Sequence, residues 1–374
     1  MNAHYTRHFC RLTVLLAFLA NASSACAEPP HYTDHQDLSY YLNADGSRIP
    51  IRTPADWQHR RADIIAGMEE VMGPLPHPAK PVPLDVQVVE EHQGDGFIRR
   101  KLAYHTDDPN KRVRAWLLLP AGKSTDKRPA MLCLQQTTKA GKDSPVGLAD
   151  RPTLHYALEL AKRGYVTLAP DYPSFGEYPY DFDADNYASG SMKAIYDNLR
   201  AIDLLQSLPE VDADRIGCIG HSLGGHNSLF TAAFDQRVKA VVTSCGFTSA
   251  HKYMKGDLRG WSGPRYMPLI ATKYNFSADQ VPFDFPEVLA AIAPRAIFVV
   301  APLHDDNFDI DGVREVLIAA RPIFKLLGCP ENLQAVHPDS AHDFPDAERE
   351  QAYKFVDRIL NHQVDAKRKA PPSP

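Results

Sequence analysis

From residue 129 onward, short runs that are mostly apolar alternate with longer stretches in which apolar residues recur every third or fourth place. Ala130-Met131-Leu132-Cys133-Leu134, Tyr165 to Pro170, Arg215 to Gly220, Val238 to Thr243, Ala296 to Val300 and Leu333 to Val336 are the continuous runs. Between them lie Leu154 to Lys162, a segment carrying Met192, Ile195, Tyr196, Leu199, Ile202 and Leu205, the residues after Gly224, Val313 to Leu327 broken at Pro322, and a last segment with Ala352, Phe355, Val356 and Ile359. The second kind of pattern predicts helices with one apolar face. Strands that are apolar on both sides need cover on both sides. The alternation therefore predicts an α/β chain with a mostly parallel central sheet and helices on both faces.

Upstream the rhythm differs. Thr53-Pro54-Ala55-Asp56 reads as a helix start, with a Thr N-cap, Pro in the first turn and an acidic third residue. Trp57, Ile64, Met68 and Val71 continue it until Gly73-Pro74. Leu84 to Glu90, Phe97 to Tyr104 and Val113 to Leu119 are separated by turn residues, which predicts antiparallel hairpins. The organisation expected is an N-terminal extension over 28–109, a main domain over 110–363 and a tail over 364–374 that is basic, Pro-rich and expected to be disordered. The stretch 247–290 alternates poorly and is expected to be a short cap-like insert.

Residues 1–27 are set apart from the fold. Arg7 and Arg11 precede the apolar run Leu12 to Ala20, and Ala25-Cys26-Ala27 has the form of a cleavage site. This is the pattern of an export signal peptide with the mature chain starting at Glu28; lipoprotein processing before Cys26 is the competing expectation. The apolar run is too short to span a bilayer, and no other stretch is long enough. An exported, periplasmic or secreted protein is expected. Four of the six cysteines, Cys133, Cys218, Cys245 and Cys329, lie beyond the signal, without disulfide or metal spacing. A net charge of -5 carries no basic footprint, so nucleic acid is not an expected partner. Nothing in the sequence bears on oligomeric state.

The chemistry concentrates in Gly220-His221-Ser222-Leu223-Gly224, a G-x-S-x-G turn between an apolar strand and a helix. A serine at the tip of so sharp a turn needs small neighbours, which Gly220 and Gly224 supply. A serine hydroxyl also needs a base, and the base an orienting carboxylate. After the strand Ala296 to Val300 come Asp305 and Asp306. After Leu333 to Val336 come His337 and, in a loop of small residues, His342. His342 is the better placed base, with His337 second. The oxyanion donors expected are the backbone N–H of Leu223 and that of Gln136 or Thr137, in the loop after Leu134. Asp171 to Tyr178 follows a strand end and reads equally as pocket lining or as loop packing. Asn307 to Gly312 has a faint calcium-loop look, but the twelfth position is Ile318, so an acidic helix start is expected.

Residues 110–362 resemble the α/β-hydrolase superfamily, on Gly220-His221-Ser222-Leu223-Gly224, Asp305 and His342. The run Val281 to Phe285 leading to Ile292-Ala293-Pro294-Arg295 is similar to exported carbohydrate esterases of the acetyl xylan and glucuronoyl type. Ala301 to Phe308 resembles the acid loop of prolyl oligopeptidase-type hydrolases, and dienelactone hydrolases are looser kin, with Cys in place of Ser222. The resemblance implies the α/β-hydrolase fold and a Ser222, His342, Asp305 triad, since the superfamily carries a small residue and then Asp three positions on, here Pro302 and Asp305. It implies no cofactor and no metal. The implied activity is hydrolysis of carboxylic esters through an acyl-enzyme, on small-molecule, oligosaccharide or polysaccharide esters. Glucuronoyl esterases carry an Arg soon after the nucleophile, where Leu223-Gly224-Gly225-His226 has none. The aromatics Phe247, Tyr253, Trp261, Tyr266 and Tyr274 of the insert either stack on sugars or pack the insert. A prolyl oligopeptidase-like peptidase is the alternative, against which stands the small size of 28–109 beside the propeller such enzymes carry. An inactive binding protein on the same fold is the other, against which stand three filled catalytic slots.

Overall fold

The structure, a computed structural model, describes residues 29–122 and 126–364. The export signal expected at 1–27 and nearly all of the tail lie outside the described residues. Among those residues no helix is long and apolar enough to cross a membrane.

A two-stranded ribbon, β1 (Tyr40–Leu42) and β2 (Arg48–Pro50), precedes helix α1 (Pro54–Met72). The α1 start follows its sequence signal: Thr53 accepts from the Asp56 N–H, and the Asp56 carboxylate accepts from the Thr53 N–H at 2.9 Å. Gly73, at φ 88°, ends the helix.

Next come β3 (Gln87–Gly94), β4 (Phe97–Tyr104), β5 (Val113–Pro120), β6 (Arg128–Leu134), α2 (Tyr156–Arg163), β7 (Val166–Pro170), α3 (Gly190–Ser207), β8 (Val211–His221), α4 (Leu223–Phe234) and β9 (Val238–Ser244). The chain closes with a short turn of helix α5 (Leu269–Thr272), then α6 (Phe285–Ile292), β10 (Ala296–Val300), α7 (Ile310–Leu326), β11 (Leu333–Val336) and α8 (Asp346–Ile359).

Nine strands form one sheet in the order β11-β10-β9-β8-β6-β7-β5-β4-β3. The β6 to β11 pairs are parallel, and β3, β4, β5 and β7 pair antiparallel at the other end. This is the α/β-hydrolase fold. One face of the sheet packs on α1, α3, α4, α6 and α7, the other on α2 and α8. The strand order reverses at β6, with β7 on one side and β8 on the other. At that switch point the loops leaving the strands diverge and open a crevice.

Three details depart from expectation. Strand β3 is shifted toward Gly94, because the tight turn at Asp95-Gly96 sets Gly94 opposite Phe97 and the hairpin zips from there. Pro322 lies inside α7 and does not break it. The carbonyl it leaves without an N–H is that of Ile318, which is 70% exposed, so water can serve it. The stretch 247–290 is not uniform. Its last part, α6, is buried at every residue and packs between α1, α4 and α7, while only the part before it lies over the crevice. Helix α6 is capped by Asp284 and Glu287, and Glu287 also binds buried Arg60 of α1 and His35, at 2.8 Å to the latter. The four described cysteines are free and buried.

Candidate active site

Strand β8 ends at His221, and α4 begins at Leu223. Ser222 between them has φ 55° and ψ −121°, a conformation that costs a non-glycine residue about 1–3 kcal/mol. The surroundings impose it. The Ser222 N–H donates to the Ser244 carbonyl at 2.8 Å, and the Ser222 carbonyl accepts from the His226 N–H at 2.9 Å. A Cβ on Gly220 would collide with the Gly224 backbone, and one on Gly224 with the carbonyls of Leu134 and Gln135. The two glycines thus let the turn close on itself and let α4 approach β6.

Two further strand ends deliver a carboxylate and an imidazole to the same crevice. His342 Nδ1 lies 2.9 Å from both Asp305 oxygens. The Asp305 side chain is 1% exposed and also accepts the N–H groups of Asn307 and Phe308, at 2.8 and 3.1 Å. Burial by itself would raise this carboxyl. The His342 hydrogen bond and charge and the two N–H groups outweigh it and hold Asp305 below the usual carboxylate range. An ionised Asp305 requires the hydrogen on Nδ1 and so leaves the Nε2 lone pair of His342 free to act as a base. Asp306 is exposed on the same loop. His337 directly follows β11, its Nδ1 bonded to the Ala301 carbonyl at 3.0 Å, and is not among the residues lining the Ser222 pocket.

Ser222, Leu223, His342, Gln136 and Thr137 share one pocket of about 330 Å³. Leu223 opens α4, so its N–H is one of the unpaired donors of a helix N-terminus. The Gln136 side chain turns back, Nε2 donating to Ser144 Oγ at 2.9 Å, while the Thr137 hydroxyl meets the Tyr266 hydroxyl at 3.4 Å. The loop that carries them is braced from beneath. Buried Lys142 binds Asp171 through Nζ at 2.9 Å, and Asp171 also accepts the Lys142 N–H at 2.8 Å. Asp171 to Tyr178 is therefore loop packing: Tyr172 and Phe175 form a small cluster with Ala194 and Leu223.

Of the aromatic set in the insert, Tyr253, Trp261 and Tyr266 form one wall of the pocket, with the Tyr253 and Trp261 rings stacked at 3.9 Å. Phe247 and Tyr274, from the same aromatic set, pack in the core without lining the pocket, while Tyr253 and Trp261 belong to both. His221, Arg151, His226, Gly260, Asn307 and Phe308 complete the lining. Burial pushes His221 down to about 3 and His226 down to about 4, so both are neutral near pH 7. The His221 ring lies 4.8 Å from that of His342, and its Nδ1 meets Ser244 Oγ at 3.0 Å.

His221, Cys245 and His342 bring potential ligand atoms within 4.8 Å of one another. Each is engaged otherwise: His342 with Asp305, His221 with Ser244, and Cys245 Sγ with the Asp343 carbonyl at 3.4 Å. Burial pushes the Cys245 thiol well up, which keeps it protonated and a poor ligand. The set suits packing around His342 better than a metal ion. At the acidic helix start, Asp309 caps α7 by accepting the N–H groups of Asp311 and Gly312.

The sequence pattern of the prolyl oligopeptidase family matches residues 153–363. Among individual proteins, the chain is 28% identical over 218 residues to YtaP of Bacillus subtilis (strain 168), which covers 56% of this chain and 69% of that protein. It is 26% identical over 204 residues to the 4-O-methyl-glucuronoyl methylesterase of Hypocrea jecorina (strain QM6a), covering 48% of this chain and 43% of the methylesterase. In three dimensions it resembles a glucuronoyl esterase from Solibacter usitatus, with a TM-score of 0.66 over 89% of this chain and 99% of that one, at 19% identity.

Proposed function

The chain belongs to the prolyl oligopeptidase family, and we propose that it is an exported serine hydrolase that cleaves carboxylic esters of carbohydrates. The observation that carries the reading is the His342 imidazole held by both Asp305 oxygens at 2.9 Å beside a strained Ser222 on one pocket.

In the proposed mechanism, Ser222 Oγ attacks the ester carbonyl while His342 Nε2 takes its proton. The tetrahedral oxyanion is met by the Leu223 N–H and that of Gln136 or Thr137. His342 then gives the proton to the leaving alcohol as the C–O bond breaks. A water, deprotonated by the same Nε2, attacks the acyl-enzyme, and collapse returns Ser222 and releases the acid. Asp305 keeps His342 in the Nδ1–H form and stabilises the imidazolium that forms in each half-reaction. The ester preference and the carbohydrate class draw on the methylesterase and glucuronoyl esterase relatives and on an aromatic wall of the kind that sugar rings stack against. The export pattern expected at residues 1–27 supports a substrate outside the cytoplasm.

The family's peptidase members favour a second reading, cleavage of peptide amides. Turnover of p-nitrophenyl acetate and of a peptide p-nitroanilide, compared in the parent and in Ser222→Ala, tests both. The ester reading expects acetate turnover to fall about 10⁴- to 10⁶-fold in the variant, with the anilide poorly cleaved by either. Unchanged acetate turnover in Ser222→Ala would overturn the mechanism, and faster cleavage of the anilide than of the ester would favour the peptidase.

A further inference from the structure

We propose that Arg151 is a specificity residue, and that the substrate is an ester bearing a free carboxylate beside the reacting bond, as in an acylated acidic sugar. The inference rests on the ester-hydrolase reading and adds to it a charge on the substrate.

Arg151 reaches the pocket from the segment between β6 and α2, next to the proposed base. Its Nη2 donates to the His342 carbonyl at 3.3 Å and to Asp343 Oδ1 at 3.1 Å. The side chain is 46% exposed and lines the pocket. Its Nη1 and Nε have no protein acceptor among the described residues, so half of the guanidinium fork is open to a ligand. Asp343 meets Arg151 through one oxygen and one guanidinium nitrogen, and the same oxygen accepts the Thr153 hydroxyl at 2.7 Å.

The electrostatic setting is one-sided. No Asp or Glu lines the pocket, and Arg151 is the one lining group with a permanent charge. His221 and His226 are kept neutral by burial. A neutral substrate would leave this cation paired only with water and Asp343. A carboxylate would find charge-assisted N–H donors, Nη1 and Nε, in a partly desolvated site. The aromatic wall of Tyr253, Trp261 and Tyr266 lines the same pocket, so an acidic sugar could meet a stacking surface and a cation together.

The competing reading is that Arg151 merely holds the His342 loop through its contact with the His342 carbonyl. Such a role would affect all esters alike. The test is therefore a ratio: kcat/KM for 4-acetoxybenzoate divided by that for its neutral methyl ester, in the parent, Arg151→Gln and Arg151→Lys. Taking the ratio between proteins cancels the intrinsic reactivity of the two esters. We expect Arg151→Gln to lower the ratio on the order of 10-fold, mainly through KM, and Arg151→Lys to restore part of it. The parent's ratio should also fall as salt is raised from about 0.01 to 1 M, which needs no variant to fold. A ratio unchanged both by Arg151→Gln and by salt overturns the proposal, including the case where both rates fall together. If the parent hydrolyses neither ester, the ester-hydrolase reading itself fails, and this inference falls with it.

Discussion

The pocket has two walls built by different means. One is the C-terminal edge of the sheet, where backbone hydrogen bonds continue past the strands and tie each loop to the next. The Ser222 N–H bonds to Ser244, Cys245 to Val300, Ala301 to Val336, Leu303 to Pro338 and His304 to Ser340, all within 2.8–3.1 Å. This ladder runs from the Ser222 turn through the Asp305 loop to the segment just before His342. The opposite wall comes from the part of 247–290 that precedes α6. Among the described residues no strand-to-strand ladder reaches it. Ring packing, Tyr253 on Trp261 and Trp261 against Phe285 at 5.6 Å, joins local turns such as Tyr253 N–H to Ser249 and Met267 N–H to Trp261. Ser191 of α3 bonds to Tyr266, and Met254 and Lys255 are in left-handed backbone conformations. The contrast teaches that groups needing placement within a fraction of an ångström are set by backbone. The surface that meets the rest of the substrate is set by side chains, which can change without unmaking the sheet.

The sharpest way to break this contrast is at the acid loop. Asp305→Asn should lower kcat about 10⁴-fold, while exposed Asp306→Asn should stay within a few-fold of the parent. Steady-state kinetics on p-nitrophenyl acetate separates them. If the second variant is the crippled one, the backbone ladder delivers the wrong carboxylate.

Trp261→Ala probes the other wall. If that wall only binds, KM for an acetylated oligosaccharide should rise about 10-fold with kcat nearly kept. A kcat loss as deep as that of Asp305→Asn would mean that the two walls are not separate.

A smaller effect concerns His226, which belongs to α4 of the sheet wall yet packs on Trp261, at 5.8 Å between rings. Burial lowers it to about 4 in the folded protein. Its contribution to stability is therefore present above the ordinary histidine pKa of about 6.5 and is lost as pH falls toward about 4, because only the unfolded chain takes the proton in that window. Urea unfolding between those pH values should show a slope that His226→Gln reduces by at most about 1.4 kcal/mol per pH unit. An identical slope in the variant would mean that this imidazole accepts a proton in place, between the walls.

Much of the sheet wall was legible in the chain because its causes are local. Gly220 and Gly224 announce a turn whose steric demands a sequence can state, and continuous apolar runs announce parallel strands. The order of the strand ends then narrows the acid to Asp305 or Asp306 and favours His342 over His337. The Pro322 break and the limits of β3 were misread, because solvent access at Ile318 and the register of the β3–β4 hairpin are set by partners far along the chain. The lining contributed by Arg151 and His226 was silent for the same reason: an isolated Arg in a polar loop and a His in a small-residue helix carry no periodic or motif signal.

The amino-acid sequence alone therefore determined the α/β alternation, the nucleophile turn and the candidates for its partners, since these depend on short-range sterics and on chain order. Only the tertiary structure decided three further things. It set His342 against Asp305 rather than Asp306, it divided the 247–290 stretch between core packing and pocket wall, and it put a half-open guanidinium beside the base. Each of these is a meeting of residues distant in sequence, and distance in sequence leaves no local trace of proximity in space.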